Sequence, residues 1–102
     1  MKIEWLFEAQ NEFRDYLLYH RSNVGTKDAR KFSQTILSAV EKLAQFPEMG
    51  VLRQETMMGK YRLRALFMEH YVCVYKIEED TVFIYHFSDA RKNHIYHIFG
   101  VE

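Results

Sequence analysis

Arg62 and Arg64 stand two positions apart in the run Tyr61 to Phe67, YRLRALF, whose apolar and aromatic content is that of a strand. Strand alternation sets Tyr61, Leu63 and Ala65 on one face and the two guanidiniums on the other. Two such cations cannot be buried against apolar elements without partners, so that face is expected to be open or to meet an anion. It reads either as a solvated sheet face with surface ion pairs or as a clamp for phosphate or carboxylate. His86 lies in a second run, TVFIYHFS from Thr81 to Ser88, where Val82, Ile84 and His86 alternate with Phe83, Tyr85 and Phe87. Both sets are apolar enough for a core, so periodicity leaves the direction of the imidazole open. On the arginine face it would sit beside two cations, lose proton affinity and suit a base near neutral pH; elsewhere it is structural.

The tail after Ser88 concentrates Asp89, Arg91, Lys92, His94, Tyr96 and His97. His94 and His97, three apart, could ligate a metal with His86 as a third donor. However, HExxH-type spacing, a cysteine partner and any carboxylate beyond Asp89 are missing, so the pattern reads as a polar tail and no metal is expected. Gly50, Gly59 and Gly100 are isolated, which leaves no phosphate-cradling loop, and no cofactor is expected. Cys73 is the only cysteine, mid-strand, and reads as a small core residue. An internal disulfide is excluded, which fits a reducing compartment.

The elements that must position these residues follow from the pattern. Tyr61 to Phe67, His70 to Ile77 and Thr81 to Ser88 are strands, and the short charged step Glu78, Glu79, Asp80 pairs the last two as an antiparallel hairpin. Three strands cannot stand alone in water, so residues before 47 are expected to cover one face. Lys2 to Leu6 alternates as a half-buried strand. Leu6, Ala9, Phe13, Tyr16, Leu17 and His20 then recur at three and four, a helical stripe that ends near Ser22, Asn23 and Gly25. Thr26 offers an N-cap, Asp28 suits the first turn, and Ala29, Phe32, Ile36, Val40 and Leu43 continue a second stripe. Pro47 stops that helix. Met49 to Lys60 has no clear period, and Ile95, Phe99 and Val101 could pack a last short helix or an extended piece.

The expectation is thus an α+β fold: an N-terminal strand, then an antiparallel two-helix hairpin packed on an antiparallel sheet, in one domain over residues 1–102. Its far side is expected to stay free. Fourteen Lys and Arg balance fourteen Asp and Glu, so no global field draws the chain to nucleic acid or to an anionic membrane. The opening MKIEWLFEAQ lacks the apolar core of a signal peptide and no run approaches spanning length, so a cytoplasmic protein without membrane contact is expected.

The order of these elements, with LAQFPEMG after the second helix, the YR opening the sheet, the hairpin HYVCVYKIEEDTVFIYHF and then DARKN, resembles the RelE/ParE superfamily of small bacterial toxins over nearly the whole chain. The resemblance implies the toxin of a type II toxin–antitoxin system, silenced by a cognate antitoxin whose disordered segment folds over it, with operator DNA met only through that antitoxin. RelE-like members cut messenger RNA on the ribosome, whereas ParE-like members inhibit DNA gyrase without chemistry of their own. Transferred to this sequence, the RelE-like reading assigns catalysis to Arg62, Arg64, His86, Arg91 and Tyr96. Val72 stands where RelE-like strands carry an arginine. The balanced charge gives none of the excess that gripping RNA rewards, and the long helical hairpin is ParE-like, so gyrase is the expected target, with mRNA cleavage as the alternative and an inactive antitoxin-binding relic as a further one. Tyr71, Val72 and Tyr85 are expected on an exposed apolar face as the antitoxin site.

Overall fold

The computed structural model describes residues 1–52 and 60–91. In chain order it runs β1 (Lys2–Trp5), α1 (Phe7–Asn23), α2 (Thr26–Glu41), a 3-10 turn (Lys42–Ala44), β2 (Arg64–Met68), β3 (Tyr71–Glu78) and β4 (Thr81–Asp89). Among the described residues the strands form one sheet in the order β1-β4-β3-β2. β2, β3 and β4 are antiparallel neighbours, as expected, but β1 runs parallel to β4 and pairs Lys2 with Thr81 through Trp5 with Ile84. The sheet is therefore mixed. A parallel partner needs a long crossover, and the helical hairpin lies within that connection.

Gly25 divides the helices. The N–H groups of Val24 and Gly25 both return to the His20 carbonyl, closing α1, and the Gly25 carbonyl accepts the Ala29 N–H, opening α2. Its φ of 138° lies where a side chain is strained, which is why glycine holds this place. Thr26, expected as the N-cap, is instead the first helical residue, and Gly25 takes the cap position. α2 also ends earlier than Pro47 would require: it tightens into the 3-10 turn, and the Gln45 and Phe46 N–H groups both reach the Lys42 carbonyl.

The helices contribute Ala9, Phe32, Ile36, Val40 and Leu43 to a core completed by Leu66, Met68, Tyr71, Cys73, Tyr75, Val82, Ile84 and Phe87 from one sheet face. Each large apolar side chain buried there adds about 1.5–3 kcal/mol. The expected helical layer over one side of the sheet is present.

The other side is not bare. Ala65, Val72 and Val74 form a second buried cluster with Leu63 and Ala90 packed against it, and Val72 has no exposed surface. The expectation of a free face with Tyr71 and Val72 displayed is corrected on both counts. Val72 is buried on that face, while Tyr71 points the opposite way, into the helix-side core.

Candidate functional site

The described polar groups gather where the end of β4 meets the helices. β1 follows β4 only as far as Ile84, whose carbonyl accepts the Leu6 N–H at 3.0 Å. Beyond that point the outer edge of β4 must find other partners for its backbone donors. Phe87 N–H donates to Glu12 Oε1 at 3.2 Å, and Asp89 N–H donates to the Tyr16 hydroxyl at 3.0 Å. Glu12 and Tyr16 are one helical turn apart, and residues 87 and 89 share an edge by strand alternation, so two periodicities meet at matching spacing. A bulge makes this possible. Tyr75 pairs with Ile84 but Val74 pairs with His86, so Tyr85 has no register partner.

Next to this edge, His20 joins three elements. Its Nδ1 lies 2.7 Å from Asp28 Oδ2, its Nε2 lies 2.9 Å from the Tyr71 hydroxyl, and its ring stacks on Phe32 at 4.2 Å. The carboxylate only accepts, so the neutral ring carries its proton on Nδ1 and Nε2 accepts from the phenol. Carboxylate, imidazole and hydroxyl in series have the form of an activated nucleophile. The surroundings oppose that use. Tyr71 is only 9% exposed, and its pKa is raised by burial first and by the Asp89 charge second, which keeps the phenol protonated. The series thus acts as a tie among α1, α2 and β3. A cleft of about 530 Å³ opens beside Tyr71, lined by Glu12, Asp15, Tyr16, Tyr19, Asp89 and Arg91 among others.

A second polar knot holds the loop after the 3-10 turn. The Tyr75 hydroxyl donates to the Pro47 carbonyl at 2.6 Å and accepts the Gly50 N–H at 2.8 Å. Arg64 donates to the carbonyls of Gly50 at 3.0 Å and Glu48 at 3.3 Å.

The residues proposed for catalysis do not converge. Arg62 lies in the turn before β2 with φ of 59°, not on a strand, so it forms no pair with Arg64. Arg64 shares the face of Leu66 and Met68, toward the helices, and its guanidinium is engaged on loop carbonyls. His86 has Glu12 as neighbour, Nδ1 to Oε1 3.3 Å, rather than two cations, so the premise for a depressed proton affinity is absent. Arg91 binds Asp89 through both Nε and Nη2, at 2.9 and 2.6 Å, and its pKa is raised by that carboxylate. Tyr96, His94 and His97 lie outside the described residues, as does most of the 49–60 connector. Tyr85, half-buried at the bulge, is the member of the proposed apolar surface that retains exposure. Among the described residues no group of three His, Cys, Asp or Glu is arranged to hold a metal. Cys73 is buried, its thiol pushed up to about 12, and is inert as a nucleophile.

Sequence reasoning missed Glu12, Asp28 and the role of His20. His20 stood on the apolar stripe of the first helix, and an imidazole on an inward stripe, followed eight residues later by Asp28 at the start of the next helix, was the available signal.

Fold and site together define an α+β protein of the hairpin-over-sheet class whose described polar groups serve internal bonds. The family model of the ParE toxin of type II toxin–antitoxin systems, parDE, matches residues 3–94, and the chain belongs to that family. Among solved structures, one described as the chromosomal ParDE toxin–antitoxin system from P. aeruginosa matches with a TM-score of 0.74 at 19% identity, covering 89% of this chain and 97% of that one, a likeness of fold. No curated protein matches the sequence. Among the described residues no helix is long and apolar enough to cross a membrane.

Proposed function

We propose that this chain is a growth-inhibiting toxin that acts by binding, with DNA gyrase as its target, and that a cognate antitoxin neutralises it. The observation that carries the reading is the dispersal of the candidate catalytic groups. Arg64 is spent on the Gly50 and Glu48 carbonyls, His86 on Glu12 and Arg91 on Asp89, three separate partners with none shared. In-line attack of a 2′-hydroxyl on a phosphate needs a base and cations converging on one phosphorus, and effective catalysis is lost with misplacement of an ångström. Balanced charge supports the same conclusion, because a protein gripping RNA gains affinity from each phosphate it neutralises. Membership of the ParE toxin family supports a protein antitoxin as partner.

The test is made in cells. Induced expression should arrest growth, and co-expression of the small reading frame adjoining the gene should relieve the arrest. Mapping of mRNA 5′ ends during the arrest should show no codon-linked cuts. Such cuts, lost on Arg64→Ala or His86→Ala, would instead establish the ribosome-dependent nuclease.

A further inference from the structure

On the outward side of the helical hairpin, α1 and α2 leave a valley of about 320 Å³ lined by Leu17, Leu18, Arg21, Ala29, Arg30 and Ser33, with Thr26 and Gln34 at its margin. No strand residue lines it. Leu17, Leu18 and Ala29 give it an apolar floor, of which Leu18 stands 42% exposed. Arg21 and Arg30 flank that floor from the two helices, and its lining includes no carboxylate. The acidic residues of the hairpin that might have balanced them are used on its inner side: Glu12 on β4 and Asp28 on His20. Among the described residues neither Arg21 nor Arg30 has a carboxylate partner. In a chain whose formal charge is zero, this valley is a local concentration of positive charge over apolar surface.

We infer that this valley receives an acidic amphipathic helix of the antitoxin, a proposal that rests on the toxin–antitoxin reading and adds to it a site and a chemistry. Two antiparallel helices present parallel ridges, and a third helix laid between them buries apolar side chains at every third or fourth position. Its apolar residues meet Leu17, Leu18 and Ala29. Asp or Glu side chains on its flanks meet Arg21 and Arg30, whose planar guanidiniums suit carboxylates better than ammonium groups do. The charges steer encounter and select an acidic partner, while the apolar floor supplies the burial.

The test titrates the full chain with the purified protein of the adjoining reading frame, for wild type, for Arg21→Glu with Arg30→Glu, for Leu18→Gln, and for Lys2→Glu on the exposed β1 as a charge control. The double reversal is expected to weaken binding about tenfold or more and to flatten its salt dependence, Leu18→Gln to weaken it several-fold at every salt concentration, and Lys2→Glu to change it less than twofold. Circular dichroism and the urea midpoint verify that each variant is folded. Binding that survives the double reversal and Leu18→Gln unchanged would place the antitoxin elsewhere and overturn this inference while leaving the toxin–antitoxin reading intact. Failure of the wild type to bind that protein at all would overturn both.

Discussion

Gly50 is held in a place that admits no side chain. A Cβ built there would meet the Tyr75 hydroxyl at 2.6 Å, its ring at 2.7 Å and the Ala65 carbonyl at 3.0 Å. Tyr75 cannot yield cheaply, because it is fully buried and its hydroxyl already bonds Pro47 and Gly50. Gly50→Ala should therefore cost about 1–3 kcal/mol through overpacking and the displaced hydrogen bonds, read as a lowered urea midpoint. A midpoint unchanged from wild type would mean that the loop is not seated on Tyr75 as described. In the sequence Gly50 was legible only as part of a helix exit, since the hydroxyl that excludes its Cβ comes from a residue 25 positions later. Arg64 was misread for a related reason. Strand alternation fixed its face relative to Ala65 but could not say which face the helices cover, and the carbonyls that accept from its guanidinium belong to a loop without periodicity.

At the level of the elements, hydrophobic period located both helices and the β3–β4 hairpin to within a residue or two, because each buries a continuous stripe against its neighbour. The parallel pairing of β1 with β4 carried no local signal, being a property of the crossover. β1 is also too short to protect all of β4, and α1 supplies the remainder with Glu12 and Tyr16. Replacing Glu12 by alanine strands the Phe87 N–H and should destabilise the fold by about 1–3 kcal/mol, with faster amide exchange at Phe87. Glu12→Gln keeps an acceptor oxygen and should recover most of the loss. Equal damage from the two substitutions would show that the carboxylate charge, and not an acceptor for the strand edge, is what the site requires.

The whole molecule joins a helical layer to a sheet buried on both faces at its centre, and assigns its described histidine, arginine and tyrosine chemistry to holding these layers together. His20 with Asp28 and Tyr71 ties hairpin to sheet, Tyr75 and Arg64 fix the loop after the second helix, and Arg91 closes on Asp89. What this leaves for a partner is surface, and the hairpin valley with its two arginines is the part whose chemistry is most selective. The class of protein was visible in the sequence because fold and family depend on element order and burial pattern. The site was not, because each polar tie joins residues far apart in the chain whose meeting depends on register and helix phase. The central claim, inhibition by binding, is tested most directly by supercoiling of relaxed plasmid by purified gyrase with increasing amounts of this protein. The account predicts supercoiling that slows in proportion to bound toxin. Undiminished supercoiling at saturating toxin, with messenger RNA cut at codon boundaries on ribosomes in the parallel reaction, would contradict it.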